Sequence, residues 1–231
     1  MTSRLSVKNM RKINLYITLL VCLFLALNSC GDKTEKEHVL PFIGNYDIEY
    51  SLVNGVEVAD TVYPTIPFFH FLNEDSVRIT SKELKGKIWV VDFFFTTCST
   101  ICPKMTTQMK RLNAMTSDLA DQVQFISFTI NPQHDQPSVL KKYKKHHGIN
   151  ASNWTFLTGD EAETHRLGIE DFRIFAGQDD LSEDGYAHSE AFTLIDKEGF
   201  VRGVYNVADP KQVDQLEKDL RKLLKHEYNI N

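Results

Sequence analysis

The chain is poor in several of the features that mark specialised protein classes. It has only four cysteines in 231 residues, which excludes a disulfide-dense scaffold. Seven prolines and 11 glycines exclude collagen-like and low-complexity chains. There is no basic excess: 26 Lys and Arg stand against 31 Asp and Glu, a net charge of −5. That balance argues against a nucleic-acid partner, whose binding rests on Lys and Arg. Long apolar runs are scarce too. One stands out, Ile13 to Leu27, broken only by Asn14 and Thr18. It is short for a transmembrane helix, which needs roughly 20 residues.

That run follows Met10-Arg11-Lys12 and leads into Leu27-Asn28-Ser29-Cys30-Gly31. A basic start, a short apolar stretch and a small residue before the cut have the form of an export signal. The Cys at the cut resembles a bacterial lipobox, although Asn28 is unusual within one. The expectation is a lipoprotein signal over residues 1–29, a lipidated Cys30 with a polar linker to residue 42, and a single domain over 43–231. Lipid on Cys30 would tether that domain to a bilayer outside the cytoplasm. Residues 1–29 hold Arg4, Lys8, Arg11 and Lys12 and no acid, so their removal leaves 202 residues with a net charge of −9. Only Cys98 and Cys102 then remain in the domain, in a compartment that permits disulfides.

Along the domain, Tyr46–Val53 and Val56–Tyr63 flank Asn54-Gly55, a two-residue hairpin signal. This region is expected to decorate the fold and cover a sheet edge. A second hairpin is expected from Phe68–Leu72 and Val77–Ile79. Ile88–Phe95 is an almost unbroken apolar run, suited to a strand buried on both faces. Apolar residues at spacings of three and four predict a helix from Cys102 to Leu119, through Met105, Met109, Leu112 and Met115. That methionine stripe is core packing. A strand over Val123–Ile130, a helix opened by Asp135 and Pro137, a strand over Trp154–Leu157 and a helix from Asp160 to near Gly168 follow. Residues 176–187 are expected to be a polar loop. Strands at Ala191–Ile195 and Phe200–Tyr205 precede a final helix opened by Asp209-Pro210. The order predicts one α/β domain with a central mixed sheet, helices on both faces and an extra N-terminal hairpin.

Cys98-Ser99-Thr100-Ile101-Cys102-Pro103 lies where a buried strand gives way to a helix, the end of an open α/β sheet at which ligands bind. The helix N-terminus eases loss of a thiol proton. If both cysteines are helical, their Cα atoms lie about 6.2 Å apart, near the limit for a disulfide. Two such thiolates also form a claw for a soft metal ion. A third ligand is then wanted. His134, in a loop after a strand end, and His188, just before the Ala191 strand, are the candidates, and position alone leaves His188 between a ligand and a hydrogen-bonded loop residue. Structural zinc would need four closed ligands, and no third cysteine exists.

Phe93-Phe94-Phe95-Thr96-Thr97-Cys98-Ser99-Thr100-Ile101-Cys102-Pro103-Lys104-Met105 resembles the signature of the SCO/SenC family. The likeness runs from about Pro67 to Leu224 and includes His188-x3-Phe-x-Leu-Ile-Asp. It implies a thioredoxin-like fold and a membrane-tethered copper protein that assists assembly of the dinuclear copper (CuA) centre of cytochrome c oxidase. It also implies that Cys98, Cys102 and His188 hold copper, as Cu(I), Cu(II) or both. The partner implied is the copper-bearing oxidase subunit or another copper or thiol protein of the envelope. The same pair also supports a thiol-disulfide oxidoreductase, with Cys98 attacking and Cys102 resolving. A thiol peroxidase fits poorly, because the motif lacks the Pro, Thr and Arg set such enzymes place round the reactive Cys. One departure stands out: Asn131-Pro132-Gln133-His134-Asp135 has an amide where the family usually has its first acid.

Overall fold

In the computed structural model, residues 38–178 and 186–230 are described. The expected signal and Cys30 lie outside them. Seven strands form the main sheet, in the order β11-β10-β5-β6-β7-β3-β4. Its centre is β5 (Ile88–Phe94), β6 (Val123–Thr129) and β7 (Trp154–Thr158), which run parallel. β10 (Ala191–Ile195) and β11 (Val201–Asn206) add antiparallel on one side, β3 (His70–Asn73) and β4 (Arg78–Thr80) on the other. Every residue of β5, β6 and β10 is buried. This explains why β5 reads as an almost unbroken apolar run rather than as an alternating one.

Helices cover both faces, as the alternation of side chains along β5 shows. Phe93 stacks on Phe128, and both meet Phe172, which follows α3 (Glu161–Arg166) and its π-helical continuation Leu167–Asp171. Phe94 points the other way, to Tyr143 of α2 (Pro137–His146) and Phe156. α1 (Cys102–Met115) buries Met105, Met109 and Leu112, the stripe expected to be packing. A 3₁₀ turn, Ser117–Leu119, follows it. α4 (Pro210–Glu227) closes the domain with Val213, Leu216, Leu220, Leu223 and Leu224 inward.

Three local expectations need correction. Residues 176–187 are not simply a loop: β8 (Ala176–Gln178) pairs antiparallel with β9 (Tyr186–His188). Neither strand has the length or alternation that would announce it. As expected, the α-helix after Asp160 ends, at Arg166, near Gly168. A Cβ there would sit 3.0 Å from the Ala176 Cβ and 3.2 Å from the Ile174 carbonyl, so glycine permits a close crossing. Asp135 does not cap α2, whose N-cap is Gln136. The hairpin β1 (Asp47–Val53) and β2 (Val56–Val62) forms as expected about Asn54 and Gly55, both at positive φ. All its strand residues are exposed, however, and it forms a sheet of its own. Only its flanks reach the edge of the main sheet, through Ile43 N–H to the Val201 carbonyl, and the adjoining turn, through Ile66 N–H to Gly199.

Candidate metal centre

β5 ends at Phe94 and α1 begins at Cys102, so Cys98 lies in the connecting turn and not in the helix. Its amide donates to the Phe95 carbonyl at 3.2 Å, which folds the turn back over the strand end. The Cys98 Sγ accepts from the Cys102 N–H at 3.4 Å, at the helix N-terminus, and lies 3.8 Å from the Thr100 hydroxyl. Pro103 occupies the first turn of α1, where its missing N–H costs nothing. Both cysteines are buried, Cys98 at 7% exposure and Cys102 at 1%. They are free thiols.

β9 brings His188 to them. Its Nε2 lies 3.1 Å from the Cys102 Sγ, and its Nδ1 lies 3.3 Å from the Ser189 carbonyl. A carbonyl only accepts, so the proton belongs on Nδ1 and Nε2 keeps its lone pair toward the thiols. The Phe95 ring stands edge-on to the imidazole at 5.9 Å and also meets Tyr186 at 5.6 Å, packing β9 onto the turn. The donor atoms of Cys98, Cys102 and His188 all lie within 4.8 Å of one another. No other cluster of three or more His, Cys, Asp or Glu donors able to hold a metal forms among the described residues.

The two thiols differ. The hydrogen bond from the Cys102 side chain holds the Cys98 thiol well below the ordinary thiol range, helped by the Cys102 N–H. Cys102 is pushed up by the same hydrogen bond and by burial. A soft cation at this point meets two sulfurs and one nitrogen within 4.8 Å of one another, a donor set that suits copper in both oxidation states.

His134, the other histidine candidate, is engaged elsewhere: its Nδ1 lies 2.8 Å from Asp135 Oδ1 and 3.3 Å from the Thr96 hydroxyl. The Asn131 amide oxygen accepts from the His134 N–H at 3.4 Å, a task a carboxylate oxygen would also perform. Of two acids near the site, Asp92 escaped the sequence reading and Asp135 was read only as a helix start and as part of the family's stretch. Asp92, on β5, is buried, and its Oδ1 finds no hydrogen-bond partner. Burial pushes its carboxyl up to about 7. The signal was there to read, a single carboxylate inside an apolar strand. Asp135, fully buried, binds the Cys98 turn through Thr96.

Fold and site together define a thioredoxin-like protein with a centre of two thiols and one imidazole at a strand-to-helix junction. The chain belongs to the SCO1/SenC family, whose family model matches residues 59–225. It is similar to a SCO1/SenC family lipoprotein from Bacillus anthracis, at 34% identity and a TM-score of 0.63, covering 69% of this chain and 94% of that one. BsSco, a member of the Sco family of cytochrome c oxidase assembly proteins with a disulfide switch, is 32% identical, with a TM-score of 0.61 and coverage of 68% and 91%. Yeast Sco1 with copper bound is 26% identical, with a TM-score of 0.55 and coverage of 68% and 90%.

Proposed function

We propose that this protein takes copper on Cys98, Cys102 and His188 and delivers it to the copper-bearing subunit of cytochrome c oxidase, or prepares that subunit's thiols, during assembly of the CuA centre. The observation that carries this reading is the convergence of three soft and borderline donors from β9, the Cys98 turn and α1 within 4.8 Å. Three protein ligands leave a coordination position open for handover to an acceptor. The copper-bound yeast relative and the oxidase-assembly role of BsSco support the cargo and the destination.

The domain is held outside the cytoplasm by lipid on Cys30, after removal of residues 1–29 and through a linker to residue 42. The basic, apolar and small-residue succession before Cys30 supports the anchor, as does the relative from Bacillus anthracis, itself a lipoprotein. Among the described residues no helix is long and apolar enough to cross a membrane.

Anaerobic copper titration tests the site. One copper ion per chain is expected, lost in Cys98→Ser and Cys102→Ser and strongly weakened in His188→Ala. Full-strength binding by His188→Ala would remove it from the ligand set.

The asymmetry of the two thiols favours a second reading, an envelope thiol-disulfide oxidoreductase. The Cys98 thiolate would attack a partner's disulfide and release one partner thiolate. Cys102, losing its proton to the thiolate just released, would then attack the Cys98 sulfur and break the mixed disulfide, freeing the second partner sulfur and leaving Cys98–Cys102 oxidised and the partner reduced by two electrons. Trapping of a mixed disulfide by Cys102→Ser, with His188→Ala fully active, would place this reading first.

A further inference from the structure

We propose that Asp135 is a positioning residue for the metal centre: it fixes the Cys98 turn to the end of β6 so that both sulfurs and the His188 imidazole converge before any ion arrives. The proposal rests on the copper-binding reading above.

Asp135 lies on the loop that follows β6, outside the cluster of metal donors. Its side chain is fully buried. Both carboxylate oxygens are used. Oδ2 accepts from the Thr96 N–H at 2.9 Å and from the Thr129 hydroxyl at 2.6 Å. Oδ1 accepts from the Thr96 hydroxyl and from His134 Nδ1, the latter at 2.8 Å. Four donors therefore converge on one buried carboxylate, and two of them belong to Thr96, two residues before Cys98. Thr129 is the last residue of β6, so the carboxylate joins the ends of two adjacent parallel strands.

Besides this link, the turn is held by the buried Phe95 ring against Tyr186 and His188 and by the Ile130 N–H bond to the Phe94 carbonyl at 2.9 Å. Between Phe94 and Cys102 the other backbone hydrogen bonds outside regular elements are Cys98 N–H to Phe95 and Met105 N–H to Ile101, both local. The carboxylate supplies a long-range hold, across 39 residues of sequence, on the segment that carries the first thiol. Charge-assisted hydrogen bonds of this kind are stronger than neutral ones and directional. The loop holding Asp135 is itself braced: its own N–H donates to the Asn131 carbonyl at 2.9 Å, and the Gln136 side chain donates to the Pro132 carbonyl at 2.7 Å. Groups that orient metal ligands from behind in this way are worth roughly 10- to 100-fold in affinity.

The test compares copper affinity and a copper-independent readout of sulfur placement, the Cys98–Cys102 thiol–disulfide equilibrium against glutathione, in the full-length protein. Asp135→Asn removes the charge and is expected to weaken copper binding roughly 10-fold and to shift the disulfide equilibrium. Thr96→Val, which deletes one donor at constant shape, is expected to do both to a smaller degree, and Thr96→Ser to restore both. Leu220→Ala is the control. It opens a cavity in α4 beside Arg221, which binds the Met115 carbonyl and so sits at the far end of α1, about 20 Å along the helix from Cys102. It is expected to lower stability and leave both readouts unchanged. Wild-type behaviour in folded Asp135→Asn would overturn the proposal, as would equal losses in Leu220→Ala. Should Asp135→Asn fail to fold, the Thr96→Val and Thr96→Ser pair decides. Should the wild-type protein bind no copper, the copper reading falls, and the order of the disulfide equilibria still confirms or refutes the positioning role.

Discussion

The two ends of the central sheet carry buried charge in opposite ways. β10 runs antiparallel to β5, so the turn after β10 lies at the end of the sheet remote from the cysteines. There Arg202 is buried with two acids. It binds Asp196 at 2.8 Å and Glu227 at 2.7 and 3.0 Å, and donates to the Leu40 and Pro41 carbonyls. The second Asp196 oxygen accepts from the N–H groups of Glu198, Gly199 and Phe200. Every donor of this cluster has a partner, and it ties the entering segment at Leu40 to the last helix. At the cysteine end, Asp92 keeps an oxygen without a partner, and the two thiols are shifted in opposite directions, Cys98 down and Cys102 up. The paired groups round Arg202 hold a frame, whereas Asp92 leaves polar capacity open beside the candidate metal donors.

The contrast can be broken from the satisfied side. Arg202→Met would leave Asp196 and Glu227 buried without a cation. The expected loss is about 3–5 kcal/mol in a denaturant titration, the usual cost of removing one partner of a buried pair. A loss below about 1 kcal/mol would mean that the cluster holds nothing together.

From the other side, Asp92→Asn is expected to stabilise the protein. The folded-state carboxyl lies at about 7, above its ordinary 3.8. The folded protein therefore binds the proton more tightly than the unfolded chain, and stability falls as pH rises from about 4 to about 7. Above 7 the whole penalty for a buried carboxylate is present, and the amide removes it. The gain is up to about 4 kcal/mol at pH 8, from the roughly three-unit difference, and shrinks toward zero near pH 4. Equal gains at pH 4.5 and pH 8 would show that Asp92 is not a buried, titrating acid.

The smallest effect is expected from the hairpin. Replacing residues 47–62 by a short Gly-Ser linker removes strands whose residues are all exposed. The expected change in stability is below about 1 kcal/mol, and a larger loss would make the hairpin part of the frame.

How much of this was legible in the chain depends on the range of the interactions. The apolar run of β5 and the periodic Met and Leu positions of α1 and α4 are local signals, and each marked its element. The cysteine spacing and its place between strand and helix marked the centre. His188 could be placed beside it only through the family resemblance, since 86 residues separate it from Cys102. Arg202, Asp135 and Gly168 gain their roles from partners brought together by folding. Arg202 meets Leu40 across 162 residues, and Asp135 resembled a helix cap because a carboxylate before Pro137 usually is one. Short β8 and β9 exist through their pairing with each other, and no periodicity announces them.

The central claim is that one copper ion is held by Cys98, Cys102 and His188. X-ray absorption at the copper edge, on protein loaded anaerobically with Cu(I), tests it most directly. The account predicts two sulfur scatterers and one imidazole in the inner shell, with the imidazole signal absent from His188→Ala. An inner shell of oxygen and nitrogen alone, or a spectrum unchanged in His188→Ala, would contradict it.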